Sequence, residues 1–270
     1  MKIIVLANRD IASNYALNLL IPPLSGHDVS VFLSSKVGGR VQSIPQLETL
    51  KFFEQSLFNQ LLSPIINDLY PKPLTSNSKC KTFEQMNEWL SQPIKVLNKI
   101  NSIEEVDRIQ KLKPDLIISI RYGNILKDGV IQVPRFGVLN LHSGLLPEYR
   151  GVMATFWSML HGEKTIGTTL HYIENSSIDT GRVVAKTRFE VDKKKSYLWH
   201  VLQLYVEGVE RILNTVSLIE GNKRVDTCPQ GNSGQYFSFP QLDDFLEFEN
   251  KGLTLVNEGE IIDFLRAQYY

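Results

Sequence analysis

The sequence is poor in cysteine, has no excess of positive charge and contains no long hydrophobic run. Its two cysteines, Cys80 and Cys228, are far apart and neither belongs to a CxxC pair, so we expect neither a disulfide framework nor a zinc site. Lysine plus arginine number 29, as do aspartate plus glutamate, so no net charge favours DNA or RNA as a partner. No continuous apolar stretch is long enough to span a membrane, and the apolar run at the N-terminus is too short for a signal peptide. We therefore expect a cytoplasmic protein.

The first half of the sequence alternates apolar strands with helices. Residues 2–7 and 27–35 predict strands on either side of a helix over residues 12–20. Such a β-α-β start implies a parallel sheet with a right-handed crossover. The apolar runs 115–120 and 138–142 predict further strands of the same kind. The sequence therefore predicts an α/β protein with a Rossmann-like, mostly parallel sheet flanked by helices.

The second half adds strands and one long helix. A helix is predicted over residues 154–162, followed by strands over residues 166–173 and 182–191. Residues 196–220 keep a helical period of apolar side chains, and Gly221 is a natural end for that helix. We place the boundary of the main domain there, which gives a main domain over residues 1–221.

The sequence pattern changes in the remaining residues, 222–270, and predicts a small C-terminal subdomain. Two short acidic helices are expected over residues 240–252 and 257–270, after an aromatic-rich extended segment, "QYFSFP". A segment of this size cannot bury its aromatic side chains in a core of its own. They are therefore expected either to form a homodimer contact or to pack back onto the main domain, and the sequence leaves both open.

One predicted strand carries two polar side chains on the same face. Asn140 and His142 are two residues apart, so both project to one side of the strand over residues 138–142. At the carboxyl end of a parallel strand that face opens onto the crevice where ligands bind. Asp179 lies in a turn that ends at Gly181, from which a carboxylate could reach the imidazole. Taken alone, a buried histidine or asparagine is as often a hydrogen-bonded core group as a catalyst.

The order of three segments decides between these interpretations. "DLIISIRYGNIL", "GVLNLHSGLLPEYRG" and "ENSSIDTGRVV" follow one another over about residues 115 to 190. Together they resemble the core of the 10-formyltetrahydrofolate-dependent formyltransferases. The resemblance implies that fold, 10-formyltetrahydrofolate as formyl donor, no metal, and Asn140, His142 and Asp179 as catalytic residues. Asn140 and His142 would stabilise the oxyanion formed when an amine attacks the formyl carbon. Asp179 would raise the basicity of His142 and accept the proton of the amine.

The resemblance also implies where the folate binds. In the family the pterin is held largely by backbone groups of the segment that matches "RYGNIL" and of the turn before the catalytic aspartate. Carried over, the folate contacts are Asn124, Ile125, Leu126, Asn175, Ser176, Ser177 and Ile178.

The acceptor is less well defined by the sequence. The first loop, "ANRDIASN", has no glycine, unlike the glycine-rich turn that binds the substrate phosphate in glycinamide ribonucleotide enzymes. The methionyl-tRNA branch is closer in loop sequence, yet it usually bears a basic insertion, where this chain offers only Lys36 and Arg40. What remains resembles the N-formyltransferases of nucleotide-linked amino sugars, which implies a small-molecule acceptor rather than tRNA.

Four residues are candidate contacts to that acceptor: Asn8, Arg9, Tyr149 and Arg150. Two alternatives stay open at this point. One is a methionyl-tRNA formyltransferase, and the other is a non-catalytic module that only binds folate. The intact set of Asn140, His142 and Asp179 argues against a module without activity.

Overall fold

The computed structural model describes residues 1–35, 44–69, 79–231 and 233–270. Its strands are β1 (Lys2–Asn8), β2 (Asp28–Ser34), β3 (Lys95–Val96), β4 (Leu116–Ile120), β5 (Val138–His142), β6 (Tyr149–Gly151), β7 (Thr165–Ile166), β8 (Thr169–Ile173), β9 (Val183–Lys186), β10 (Phe189–Glu190) and β11 (Gln235–Phe237). Its α-helices are α1 (Ile11–Leu20), α2 (Pro45–Lys51), α3 (Ser63–Leu69), α4 (Ile103–Leu112), α5 (Asp128–Ile131), α6 (Ala154–Leu160), α7 (Tyr197–Glu220), α8 (Leu242–Asn250) and α9 (Glu258–Gln268). Wider helical turns over Phe52–Leu62 connect α2 to α3.

The central sheet has seven strands in the order β3-β2-β1-β4-β5-β8-β9. The pairs from β3 to β5 are parallel, whereas β8 runs antiparallel to β5 and β9 antiparallel to β8. All five residues of β4, Leu116–Ile120, are buried, as expected for a strand covered on both faces. The prediction of a mostly parallel sheet flanked by helices is confirmed.

Both strands predicted in this region are divided in two. The one predicted over residues 166–173 is split between β7 and β8, which belong to different sheets. Residues 182–191 form β9 at the edge of the central sheet and then β10, which pairs with β7 in a separate ribbon. The change of sheet lies at Thr187, whose hydroxyl accepts from the Thr168 amide at 3.0 Å and contacts the Thr168 hydroxyl at 2.7 Å. These side-chain bonds hold the chain where the strand leaves one sheet for the other, a feature that alternation of side chains does not reveal.

The first β-α connection is held by a buried carboxylate. Asp10 is fully buried and caps α1 by accepting from the Ser13 amide at 2.7 Å. Its other oxygen accepts from Asn8 Nδ2 and from Arg121 Nε, both at 3.0 Å. Arg121 also donates to Glu54 at 3.0 Å, so its guanidinium neutralises two acidic groups beneath the loop. The carboxyl ends of β1 and β4 are thereby tied together at the centre of the sheet.

The residues beyond α7 pack into the same core as the sheet. Phe156 of α6 stacks on Phe248 of α8 with ring centroids 4.6 Å apart. Tyr269 follows α9, is only 1% exposed, and donates its hydroxyl to Asn14 of α1. The boundary after residue 221 and the subdomain over residues 222–270 stay predictions. The apolar side chains of that segment nevertheless join the main core instead of forming one of their own.

The aromatic side chains of the tail differ in burial. Phe237, Phe264 and Tyr269 are buried against the rest of the chain, as one of the two sequence alternatives required. Tyr236 and Tyr270 are exposed. The homodimer contact stays a prediction.

Among the described residues, no helix combines the length and the hydropathy that crossing a membrane requires.

Two adjacent isoleucines of α9 test whether this helix is part of the core. Ile261 is 2% exposed and Ile262 is 47% exposed. We expect Ile261→Ala to lower the free energy of unfolding by about 3 kcal/mol, because it leaves a cavity. Ile262→Ala should change it by about 0.5 kcal/mol or less, because its side chain is already in water. Urea unfolding measures both values, and equal, small losses would contradict the docking of α9 described above.

Candidate active site

Pairing of β5 with β8 places two polar residues opposite each other near the end of the sheet. Asn140 lies opposite His171 in the register, and His142 lies opposite Thr169. Asn140 Nδ2 is 3.1 Å from His171 Nε2. Val138, Leu139 and Leu141 of the same strand are buried, so the strand is fixed in its register by its apolar residues. The predicted shared face of Asn140 and His142 therefore carries a third polar group, from the neighbouring strand.

The carboxylate of Asp179 joins this group. Its side chain is 9% exposed, with one oxygen 3.5 Å from His142 Nδ1 and the other 3.3 Å from His171 Nε2. The Gly151 amide donates to the first of these oxygens at 2.9 Å. Burial alone would raise the pKa of Asp179, but the two histidines and the Gly151 amide outweigh it and lower the pKa to about 2. The carboxylate is therefore ionised at neutral pH.

The neighbours of the two imidazoles determine where their protons lie. His142 Nε2 is 2.7 Å from the Tyr149 carbonyl oxygen, which can only accept, so Nε2 carries a hydrogen. A second proton on that ring would sit on Nδ1 and face Asp179. His171 Nδ1 is 2.9 Å from the Tyr172 carbonyl oxygen and carries a hydrogen for the same reason. The Nε2 of His171 then either accepts from Asn140 or, when protonated, donates to Asp179.

His171 is the residue that sequence reasoning missed. It was included in the predicted strand over residues 166–173 without a role, yet it is 1% exposed and contacts both Asn140 and Asp179. The signal was a single histidine in a predicted strand with no other titratable side chain except Tyr172. Its partner could be identified only from the pairing of β5 with β8, which the sequence does not specify.

The loop after His142 is fitted closely around the imidazole. A Cβ atom at Gly144 would lie 2.7 Å from His142 Nε2 and 2.5 Å from the Ala154 Cβ, so only glycine fits there. Thr169 fixes the same loop, because its hydroxyl donates to the Gly144 carbonyl at 2.7 Å and accepts from the Leu146 amide at 3.1 Å. The loop is therefore a wall of the site with a defined position.

The first predicted folate segment has one buried and one exposed apolar residue. Leu126 is part of the core, whereas Ile125 is 55% exposed. The Ile125 carbonyl accepts from Asn101 Nδ2 at 2.8 Å. Asn124 Nδ2 is buried beside Tyr122 and has no acceptor in good hydrogen-bond geometry among the described residues. A buried donor of this kind fits a polar ligand such as a pterin ring.

The second predicted folate segment is the turn before Asp179. Asn175, Ser176 and Ser177 are exposed, and Ile178 is partly buried. Asn175 shapes the turn by accepting from the Ser177 amide at 2.8 Å through its own side chain. The role of both segments in binding folate stays a prediction.

The four predicted acceptor contacts have different surroundings. Asn8 is 1% exposed, and its amide is bonded to Asp10 and Ser34 inside the protein. Arg9 forms an ion pair with Glu84, although a third of its side chain is exposed. These two residues thus have protein partners, and their role as acceptor contacts stays a prediction.

The other two predicted acceptor contacts lie near the Asp179 carboxylate. Tyr149 is buried and donates its hydroxyl to Glu163 at 2.9 Å, so its link to the site is its carbonyl, which holds His142. Arg150 is partly exposed and directly precedes Gly151, the donor to Asp179.

Lys36 and Arg40, from which a missing basic insertion was inferred, lie outside the described residues. In the part of the chain that the structure describes, no group of three or more His, Cys, Asp or Glu side chains is arranged to hold a metal ion.

Replacing Asp179 by asparagine should change how stability depends on pH. The folded-state pKa of about 2 lies below the ordinary value of 3.8, so the ionised carboxylate stabilises the fold above about pH 4. That contribution is lost as the pH falls towards 2. The advantage of the wild type over Asp179→Asn in free energy of unfolding should shrink by ~2 kcal/mol between about pH 5 and pH 2. Urea unfolding of both proteins measures it, and parallel pH curves would contradict the ion contacts described here.

Comparison with known proteins relates part of the chain to formyl transferases. Residues 79–198 match the family model of formyl transferase. A methionyl-tRNA formyltransferase of Clostridium beijerinckii is 32% identical over 152 residues, which are 56% of this chain and 47% of that protein. The bifunctional polymyxin resistance protein ArnA of Wigglesworthia glossinidia brevipalpis is 37% identical over 131 residues, which are 48% of this chain and 20% of that protein. The chain thus spans less than half the length of these two relatives.

Solved structures agree at the level of the fold. A glycinamide ribonucleotide transformylase from Symbiobacterium toebii superposes with a TM-score of 0.58 at 14% identity, over 86% of this chain and 94% of that chain. A sugar N-formyltransferase from a Shewanella species gives a TM-score of 0.55 at 14% identity, over 92% of this chain and 86% of that chain. The resemblance seen in the sequence is confirmed: residues 79–198, which include Asn140, His142 and Asp179, match the formyl transferase family model.

Proposed function

We propose that this chain transfers a formyl group from 10-formyltetrahydrofolate to the primary amine of a nucleotide-linked amino sugar. The observation that carries formyl transfer is the buried Asp179 carboxylate, held between His142 and His171 beside Asn140. These residues supply a hydrogen-bond donor for a developing negative charge and a place for a proton, which are the two requirements of acyl transfer to an amine.

Asn140 is suited to the role of donor. Its side chain is partly buried, and its amide nitrogen carries two hydrogens, of which one can be used by His171. The other can donate to the oxygen of a bound formyl group as negative charge develops on it. His142 can assist only when its Nε2 exchanges the Tyr149 carbonyl for that oxygen, since Nε2 is occupied in the structure. Loss of one such donor typically costs ~3 kcal/mol of activation free energy.

The proton of the attacking amine is better held by an imidazole than by the carboxylate. A carboxyl group with a pKa of about 2 is too weak a base to hold a proton at neutral pH. We therefore assign Asp179 the role of stabilising the positive charge on a protonated imidazole, rather than that of final proton acceptor. His142 Nδ1 faces it at 3.5 Å and is the site where such a proton would sit.

10-Formyltetrahydrofolate would supply the formyl carbon for this reaction. As the new C–N bond forms, the bond from that carbon to N10 would break, and N10 would leave with the proton that the imidazole took from the amine. The residues near the carboxyl end of β4 fit such a molecule, because the buried Asn124 amide is poorly aligned with its neighbour Tyr122 and Ile125 presents an exposed apolar side chain. A flat heterocycle with several acceptors satisfies both groups at once. No metal is part of this proposal.

The acceptor is proposed from the charge of the site and from related structures. Arg150 is partly exposed, and Nη2 of its guanidinium donates to Gln230 Oε1 at 3.4 Å and to the Gly231 carbonyl at 3.3 Å, which leaves donor hydrogens of the other nitrogens unused. It can therefore still bind an anionic group such as the diphosphate of a nucleotide sugar. An N-formyltransferase from Helicobacter canadensis, in complex with folinic acid and dTDP-3-aminofucose, superposes with a TM-score of 0.53 at 18% identity, over 96% of this chain and 85% of that chain.

Methionyl-tRNA is the second candidate acceptor. It is favoured by the 32% identity with the Clostridium beijerinckii methionyl-tRNA formyltransferase, which exceeds the identity with the sugar enzymes of known structure. The balance of 29 basic and 29 acidic residues argues against it, because tRNA binding depends on an excess of positive charge at the interface.

Substitutions of Asn140, His142 and Asp179 should separate an effect on catalysis from an effect on folding. His142→Ala, Asn140→Ala and Asp179→Asn should each lower kcat by ~100-fold or more with little change in folate affinity, because their interactions strengthen in the transition state. Their losses should combine non-additively, since the residues act as a unit. Steady-state kinetics and folate titration of folded variants measure this. A folded His142→Ala protein with a near-normal rate would refute the assignment.

A panel of acceptors should identify the substrate class. With 10-formyltetrahydrofolate as donor, we expect formyl transfer to nucleotide-linked amino sugars and none to methionyl-tRNA. Binding of tRNA should be weak and should fall steeply as salt is raised. The matched control is the same sugar without its nucleotide, which should react at least ~10-fold less well because the anionic contact is missing. Formylation of methionyl-tRNA near physiological salt would overturn the sugar assignment and leave formyl transfer standing.

A further inference from the structure

A segment of the tail crosses the two loops that meet at the Asp179 carboxylate, namely the Asp179 turn and the segment around Gly151. We name it the tail strap, and it comprises residues 228–231 and 233–238. Cys228 exchanges two backbone hydrogen bonds of 2.8 Å with Val183, at the start of β9. Further on, β11 pairs in parallel with β6, and the Val152 amide donates to the Phe237 carbonyl at 2.8 Å. The tail strap therefore contacts the chain just after the Asp179 turn and again beside Gly151.

Gln230 lies between these two contacts and binds the Asp179 turn directly. Its Nε2 donates to the carbonyl oxygens of Asp179 at 2.9 Å and of Gly181 at 2.7 Å. Its Oε1 accepts from Arg150 at 3.4 Å. Both amide hydrogens and one oxygen lone pair are thus used, and every partner belongs to a segment of the candidate site.

The Asp179 turn has a backbone conformation that needs external support. Asp179 has a φ of 53°, in the left-handed region that costs a residue with a side chain about 1 kcal/mol or more. Gly181 is pressed against the preceding strand, since a Cβ there would lie 1.8 Å from the Tyr172 carbonyl oxygen. The two bonds from Gln230 fall on either side of this bend. They fix the direction in which the Asp179 carboxylate leaves the main chain.

The tail strap also contacts the strand that binds the Asp179 carboxylate through its backbone, which is β6. The Gly151 amide donates to Asp179, and a Cβ at Gly151 would lie 2.2 Å from the Phe237 carbonyl oxygen. Strand β6 is thus in close contact with the tail strap at the residue that binds the carboxylate. Gly234 similarly has no room for a side chain, because a Cβ would lie 1.9 Å from the Pro147 carbonyl oxygen.

We propose that Gln230 is a positioning residue for Asp179, and that the tail strap sets the distance between the Asp179 turn and the Gly151 amide. Gln230 does not touch the reacting atoms and acts only through Asp179. It lies beyond residue 198, where the match to the family model ends, so the contact comes from the chain's own tail. This inference deepens the proposed function and rests on it for its effect on the rate.

Two variants of Gln230 and one matched control test the proposal. Gln230→Glu keeps the size of the side chain but replaces both donor hydrogens by an oxygen that repels the two carbonyls, and Gln230→Ala leaves the space to water. Gln235→Ala is the control, because Gln235 lies in the same strap with an exposed side chain. The first readout is the hydrogen-exchange rate of the Gly151 amide, which needs no substrate. It should rise about tenfold in both Gln230 variants and stay unchanged in the control.

The exchange rates of the Ile118 and Leu139 amides in the central sheet, together with thermal unfolding, serve as references. A rise confined to Gly151 and the Asp179 turn supports positioning. An equal rise in the central sheet means that Gln230 only stabilises the fold and overturns the proposal, as does an unchanged Gly151 rate in both variants.

The second readout is formyl transfer. The Gln230 variants should lower kcat about tenfold at unchanged KM for the folate, and should add no further loss to Asp179→Asn. Full additivity with Asp179→Asn would overturn the proposal. A wild type that transfers formyl to none of the acceptors would refute the proposed function, while the exchange experiment would still decide whether Gln230 positions Asp179.

Discussion

An ionised carboxylate that is almost out of contact with water is the constraint around which this site is built. Such a group is stable only when donors and positive charge surround it, because the loss of hydration costs several kcal/mol. Asp179 finds these partners in His142 of β5, His171 of β8 and the Gly151 amide of β6. Three strands that are separate in sequence are therefore required to meet at one point.

The same arrangement explains why so little of the site can vary in shape. The register of β5 against β8 puts Asn140 opposite His171, and a shift by one residue would turn both side chains to the other face. Gly144 leaves no space beside His142, and the hydroxyl of Thr169 holds the loop from below. The chemistry therefore depends on close packing as much as on the identity of the polar groups.

The sequence was a good guide to what depends on local pattern. The strands, the long helix α7 and the shared face of Asn140 and His142 follow from side-chain periodicity, and the contact of Asp179 with His142 is present. His171 was missed because its meaning comes from a strand register between residues far apart. The burial of Asn8 was missed for a similar reason, because it depends on its hydrogen bonds with Asp10 and Ser34. Periodicity reports which face of an element is apolar, but it does not report which element lies opposite.

The docking of Tyr269 on Asn14 joins residues 255 positions apart and has a consequence for how the protein is made. Tyr15 and Phe58 also pack against this last turn, with ring centroids 5.0 Å from Phe264 and 5.5 Å from Tyr269 respectively. While the ribosome is still synthesising the chain, Tyr15 lacks Phe264, and Phe58 has Phe83 beside it but lacks Tyr269. Contacts of such long sequence separation form late and slowly. The core beside β1 is therefore completed only after residue 269 has left the ribosome. Until then the nascent chain exposes an apolar surface that is prone to aggregation.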